Sequence, residues 1–461
     1  MVSVQITEVH VALTHCNPRW VRIYTEVIEN ELSRGNRVHL LDFSLLTFPK
    51  RRTVFFVGWL NHYKKLNRIQ IWTPRPWHSF PKEISEDYQR YYQSELFSYF
   101  RDNQRSGRLA KKLISEQLRT ITYLQKKYPT ILSSSPCTKF YISNGRGTIH
   151  RTLMEILSEK APEAKIQYLE TAAPHNPLGD RYYLKDYPIH NRIARQIDIE
   201  KSKIDAEDVQ SIATRWLEPR RQANSRTNYF SKKWDDELSY EPYKNVFFSS
   251  STDEYWALGE MWHQDEWEDQ YEAFDAIMSR LSNKGETSFV LRLHPNLLNK
   301  STDFVRREFE RVAWLRSRHE YLKVFFPHEA MNSYLLLDKA DRVFVSISTI
   351  GLEASAMGKS VWTCCATSYD VIADVKKIWS MNELQLNDLE PWTVKSLAAK
   401  KYVAYTLLEG VPYSHSFKRI VVSRFLTFPF HSLLFRTLHV ILRKIDLAKN
   451  VRLSKAQLEN I

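Results

Sequence analysis

The sequence predicts an α/β protein built from two doubly wound, Rossmann-type domains in series, followed by a basic helical tail. Short runs rich in β-branched residues, such as Val9 to Leu13, Thr287 to Leu293 and Val343 to Ile347, alternate with longer amphipathic stretches. Strand–helix–strand alternation of this kind builds parallel sheets. One charge-dense stretch poor in aliphatic residues, Glu218 to Lys244, interrupts the alternation and reads as a linker. The length of 461 residues suffices for two cores, and 43% hydrophobic with 26% charged residues fits a soluble globular chain. The predicted division is a first domain over 1–230, a linker over 231–244, a second domain over 245–410 and a tail over 411–461.

Val9 to Leu13 reads as a strand, Val21 to Arg34 as a helix closed by Gly35, and Arg37 to Phe43 as the next strand, a parallel βαβ opening. Val54 to Val57 and Ile69 to Trp72 read as further short strands. Residues 82–128 switch to helical periodicity, with Ile84, Tyr88, Tyr91 and Leu96 on one stripe and Leu109, Leu113, Leu118, Ile121 and Leu124 on a second. This pattern predicts a helical insertion. Lys139 to Ser143 is again a strand, Asn144-Gly145-Arg146-Gly147 a turn, Thr148 to Ser158 a helix, and Lys165 to Glu170 a strand. Asn144, Arg146 and Glu170 are thereby delivered to one edge of the sheet, where open α/β sheets hold their ligands. Pro174 to Arg192 reads as irregular, and Asp205 to Trp216 as a helix capped by Asp205.

In the second domain the strands are Asn245 to Phe248, Thr287 to Leu293, Leu322 to Phe326, Val343 to Ile347 and Ser360 to Cys365. Helices are expected from Asp253 onward with Trp256, Trp262 and Trp267, and over Phe304 to Arg316, Ala330 to Lys339 and Ile350 to Met357, the last ended by Gly358. Three strand ends carry small polar or basic residues: Ser249 to Thr252 with Ser250 and Ser251, Arg292 with His294, and Ser346 with Ser348 and Thr349. Opening on one carboxyl edge, hydroxyls, helix-start N–H groups, an Arg and a His make a phosphate or pyrophosphate cradle. Glu353, one turn into the last helix, could accept bonds from two ribose hydroxyls.

Composition excludes several classes. Four cysteines without a Cys-x-x-Cys argue against a disulfide framework or zinc ribbon, and for a reducing compartment. Neither a phosphate-loop motif nor Gly-x-Gly-x-x-Gly occurs among the 11 glycines. No Asp-x-Asp is present to hold a divalent ion on a diphosphate, so no metal site is expected. The acidic run Asp253 to Asp275 reads as a solvated helix face. The N-terminus lacks a signal-peptide pattern, and no apolar run is long enough to span a bilayer. The net charge of +13 implies an anionic partner. No nucleic-acid motif interleaves the aromatics with Lys and Arg.

Residues 416–455 hold nine basic residues, including Lys444, Lys449, Arg452 and Lys455, against the single acid Asp446, with Phe, Leu, Ile and Val between them. That mixture suits a helix lying on an anionic membrane surface. The alternative is a terminal helix packed back on the first domain.

The stretch Gly351-Leu352-Glu353-Ala354 leading to Gly358-Lys359 and a strand resembles the donor-site signature of glycosyltransferases of the two-domain GT-B class. Arg292-Leu293-His294-Pro295 resembles the His-Pro motif of bacterial sialyltransferases, Kdo-transferases and glycerol-phosphate polymerases. Asn144-Gly145-Arg146 at one strand end, with Glu170 at the next, resembles bacterial capsule-polysaccharide biosynthesis proteins. The resemblance covers about residues 140–170 and 245–365. It implies a GT-B-like pair of domains facing each other across a cleft, and a metal-independent glycosyltransferase without a separate cofactor. A nucleotide-sugar would be the co-substrate on the second domain, its nucleotide left open with a CMP-linked sugar as the first candidate, touching Ser250, Ser251, Arg292, His294, Ser346, Ser348, Thr349, Gly351 and Glu353. His294 would contact the donor phosphate, and Glu170 would be the catalytic base or nucleophile. Asn144 and Arg146 would serve a glycan or lipid-linked acceptor, at a cytoplasmic location or on the inner face of the cell membrane. Two other readings fit the same residues: a CDP-polyol phosphotransferase, and a basic non-enzymatic membrane scaffold.

Overall fold

A computed structural model describes residues 7–46, 54–73, 96, 108–144, 147–172, 176, 178–188, 190–221, 243–251, 262, 266–329, 331–371, 374–414 and 430–459. The chain forms two compact units, each a helix-flanked, mainly parallel sheet: residues 1–99, 103–189 and 409–441 in the first, and 100–102, 190–408 and 442–461 in the second. The α/β class and the two Rossmann-like units agree with the sequence reading.

The first sheet contains β1 (Glu8–Leu13), β2 (Arg37–Asp42), β3 (Ile69–Trp72), β4 (Lys139–Ser143), β5 (Lys165–Thr171) and β6 (Arg181–Lys185), in the order β6-β5-β4-β1-β2-β3. β1 to β5 run parallel, whereas β6 returns antiparallel to β5 and the two-residue strand Val411–Pro412 pairs outside it. Alternation along the strands separates two cores. Val9, Val11, Val38, Leu40 and Tyr141 join the helices Pro18–Ser33 and Val54–Tyr63, while Ala12, Leu41, Phe140 and Ile142 join Arg108–Ser134 and Thr148–Lys160. A sheet buried on both faces needs apolar residues at successive positions, as its strands have.

The second sheet contains β7 (Asn245–Phe248), β8 (Phe289–Arg292), β9 (Leu322–Phe325), β10 (Arg342–Val345), β11 (Ser360–Thr363) and β12 (Val375–Lys377), all parallel, in the order β12-β11-β10-β7-β8-β9. One face buries Phe247, Leu291, Phe344 and Trp362 beneath the helices Gln270–Ser282 and Thr302–Arg318. The other buries Val246, Val290, Val343 and Val361 with Tyr334, Leu336 and Ala354 of Ser333–Lys339 and Ile350–Ala356. In both sheets the strand order reverses beside the first strand, which is the topological switch point of a doubly wound fold.

Four expectations change. Val54 to Val57 opens a helix rather than forming a strand: Phe56, Trp59, Leu60 and Tyr63 recur at helical spacing and are buried against the β1 face. The segment 174–192 is not wholly irregular, because Tyr182 and Tyr183 pair with Thr171 and Glu170 as β6. The unit boundary lies at residue 190, not at 231–244. The helices Arg192–Lys201 and Ala206–Arg221 belong to the second unit, where Arg192 bonds Asp370, Arg195 bonds Thr406 and the Tyr405 hydroxyl donates to Asp198. The charge-dense stretch begins within the last turn of the second of these helices, which ends at Arg221, and residues 222–242 lie outside the described residues. Lastly, the tail is not one element. The helix Phe430–Glu459 docks its far end on the second unit through Asn450 on Leu298 and Lys300, Asp446 on Thr302, Ser454 on His328, and Leu453 against the core.

Of the helical insertion, the described part is the helix Arg108–Ser134 and residue 96; the expected helix from Asp253 falls mostly outside the described residues, and a helix begins at Gln270 behind the Asp269 cap. Trp262 and Trp267 are buried, their ring N–H groups donating to His190 and Ile378.

Candidate functional site

The three polar strand ends of the second unit lie side by side. Phe248 pairs with Val345 and with Arg292, so β7 ends between β8 and β10 at the switch point. Backbone order then fixes the turns: Ser249 N donates to Arg292 O, and His294 N donates to Ser249 Oγ at 3.0 Å. The following turn, Ser249 to Ser251, is buried. Ser250 is paired at both backbone groups by one side chain, with its N–H on Gln270 Oε1 at 2.8 Å and its carbonyl accepting from Gln270 Nε2 at 3.1 Å. Ser250 Oγ is buried and has no hydrogen-bond partner among the described residues.

His294 stands where Pro295 starts a short 3₁₀ turn, Pro295–Asn299. Its Nδ1 accepts the Asn296 N–H at 3.2 Å. An acceptor Nδ1 in a neutral imidazole puts the proton on Nε2, the donor form that suits a phosphate oxygen. Arg292 points elsewhere. It is 3% exposed, and its guanidinium donates to the carbonyls of Phe325, Phe326 and Glu329. Desolvation lowers its pKa to about 10. In this geometry Arg292 ties down the segment after β9, a task its sequence position did not disclose.

After β10, Ser346 Oγ lies 3.3 Å from Cys365 Sγ. Ser348 is half-buried and Thr349 exposed at the start of Ile350–Ala356. Thr349 occupies the cap position in a helical conformation and makes no side-chain cap bond; Ser348 Oγ accepts from Ile350 N at 3.5 Å. Gly351 is required for packing, since a Cβ there would meet the Tyr369 hydroxyl at 2.2 Å and a Val345 methyl at 2.8 Å. Gly358, at φ +82°, ends the helix as expected. Glu353 is 4% exposed: its carboxylate accepts from the Tyr334 hydroxyl at 2.6 Å and pairs with Arg220 at 3.4 Å. Burial raises its pKa against the opposing pull of Arg220 and Tyr334. A ribose could reach this carboxylate only by displacing those partners.

In the first unit, Asn144 N donates to Leu169 O, which places Asn144 beside Glu170 on the edge of β4 and β5. The half-buried Glu170 accepts from the Thr171 N–H at 2.8 Å and the Thr171 hydroxyl at 3.2 Å. Arg146 lies outside the described residues. Next to this edge, at the β1–β4 switch point, Thr14, Ser143 and His150 form a buried three-way network with separations of 2.5–3.0 Å. Sequence reasoning missed that network, and also Gln270, Tyr334, Arg220 and Tyr369. Each lies far along the chain from the residue it serves, so no local spacing announces it. Among the described residues no group of three or more His, Cys, Asp or Glu is disposed to hold a metal ion.

No family model matches the chain, and no curated protein does. Among solved structures, the beta Kdo 2,4 transferase KpsC of Thermosulfurimonas dismutans shares 15% identity over 58% of this chain and 79% of its own, with a TM-score of 0.38. A glycosyltransferase from Rickettsia africae shares 12% over 99% and 100%, at 0.27, and the UDP-GlcNAc 2-epimerase of Methanocaldococcus jannaschii 10% over 86% and 98%, at 0.29. Overlaps of this size carry no functional argument.

Proposed function

We propose that the chain is a glycosyltransferase of the GT-B class that moves a sugar from a nucleotide-sugar to a glycan or lipid-linked glycan in the assembly of a capsule-type bacterial surface polysaccharide. The observation that carries this reading is the second unit's switch point. There the turn Ser249 to Ser251, the donor-form His294 and the helix start at Ser348 and Thr349 meet on three adjacent strand ends. Buried hydroxyls and a ring N–H are donors of the kind an anionic leaving group needs, with no cation required. His294 donates to the leaving phosphate, and Ser250, Ser251, Ser346 and Gly351 shape the pocket around it. On the first unit, Glu170 takes the acceptor proton, with Asn144 beside it; Arg146 is assigned to the acceptor from the sequence alone.

The helix Phe430–Glu459 supports a peripheral place on an anionic membrane at the inner face of the cell membrane. Ile441 and Ile445 are 48% and 44% exposed, and Lys444, Lys449, Arg452 and Lys455 are exposed on the same helix. No helix among the described residues is long and apolar enough to cross a membrane.

The test is a thermal-shift panel of CMP, CDP, UDP and GDP and their sugar conjugates, followed by product analysis. One nucleotide class raises the melting temperature, the product is a glycoside, and activity persists in EDTA. A phosphodiester product would make the chain a polyol phosphotransferase instead. Failure of every nucleotide to stabilise the protein would refute the reading.

A further inference from the structure

The two turns that flank the second unit's switch point are each held from behind by one buried side chain. Gln270, 5% exposed, stands at the start of its helix and bonds both backbone groups of Ser250, its Nε2 donating to the carbonyl and its Oε1 accepting from the N–H. It is steadied by Glu308 at 3.4 Å, itself fixed by the Tyr271 hydroxyl at 2.8 Å. Tyr369, 1% exposed, reaches from the loop after β11 and donates its hydroxyl to Ser348 O at 2.7 Å, filling the space that Gly351 leaves. Its loop is anchored in turn, since Asp370 accepts from Thr367 N and pairs with the buried Arg192. A pocket of short turns and hydroxyls binds a phosphate well only if those turns are already in place before the ligand arrives, because ordering them on binding costs affinity.

We propose that Gln270 and Tyr369 are the positioning residues of the nucleotide pocket: they fix the Ser250 and Ser348 turns without facing the ligand. The proposal rests on the nucleotide reading of this site and deepens it.

The experiment uses the full chain, with CMP, CDP, UDP and GDP as probes in titration calorimetry and melting scans. Tyr369→Phe removes one hydroxyl and leaves no cavity, so the fold survives. The expected result is a Kd weakened about fivefold or more for the nucleotide that wild type binds, the loss of one net hydrogen bond's worth, with KM for the donor raised and kcat little changed. Gln270→Met keeps the volume and removes both bonds to Ser250, with a similar or larger loss. A merely structural role would lower the melting temperature and leave Kd alone. Gln270 and Ser250 are further expected to be coupled. The penalty of Ser250→Ala shrinks in the Gln270→Met background, because a displaced hydroxyl has little left to lose. Wild-type binding with unchanged Kd in both folded variants, or strict additivity with Ser250→Ala, overturns the positioning roles alone. Absence of nucleotide binding by wild type overturns the nucleotide reading and the positioning roles together.

Discussion

Glu353 gives the sharpest test of how this site is built. The side chain is sealed in the second unit, with Tyr334 donating to one oxygen and Arg220 paired to the other. Replacing it by Gln keeps the volume and an acceptor but removes the charge. The Tyr334 bond becomes neutral, a loss of about 1 kcal/mol. Losing one partner of a buried pair costs about 3–5 kcal/mol. Here Arg220 keeps 28% of its side chain exposed and sits at 3.4 Å, so roughly 1–2 kcal/mol is the appropriate share after screening. Burial raises the Glu353 pKa in spite of both partners, so losing the charge also relieves a desolvation cost; the net loss is roughly 1 kcal/mol, a fall of about 2–4 °C in the melting of a unit of this size. The assay is a melting scan of the full chain beside calorimetric nucleotide titration. The expected outcome is lowered stability with a nucleotide Kd within about threefold of wild type, well under one hydrogen bond's worth. An unchanged melting point with a Kd weakened tens of times would refute the reasoning and make Glu353 a ribose ligand.

Other predictions follow from the same geometry. His294→Ala loses roughly a hundredfold in turnover, as for removal of one stabilising donor, while the fold persists; a folded, fully active variant would remove His294 from the site. Acid should destabilise the first unit through His10, which burial and the neighbouring His39 hold at about 3. The unfolded imidazole takes its proton near 6.5 and the folded one does not, so stability is full above that pH and falls by about 1.4 kcal/mol per unit below it. Urea unfolding from pH 7.5 to 5.0 measures this, and His10→Phe should flatten the slope. Because Asn450 and Ser454 anchor the last helix, its membrane role is better tested by charge than by truncation. Reversing Lys444, Lys449, Arg452 and Lys455 to Glu should abolish flotation with anionic vesicles at low salt, each charge being worth about 1 kcal/mol at the surface. Equal flotation of both proteins would assign the helix to packing.

The sequence by itself determined the two α/β units, the positions of most strands, and the convergence of Ser249, His294 and Ser348 on one edge. Those follow from local causes: β-branched runs make strands, parallel strands share a carboxyl edge, and glycines such as Gly358 end helices where φ must be positive. Val54 to Val57 is ambiguous in sequence because four apolar residues fit a strand and a buried helix turn alike; only the spacing of Phe56, Trp59, Leu60 and Tyr63 against the β1 face decides it. What the tertiary structure alone decided is which polar side chains turn inward. Arg292 and Glu353 look like ligands in a motif, but Arg292 holds three carbonyls and Glu353 is sealed by Tyr334 and Arg220. Their partners lie 19 to 133 residues away. A buried charge must find its compensating groups wherever the fold places them, and that pairing is a property of three-dimensional packing that no local pattern encodes.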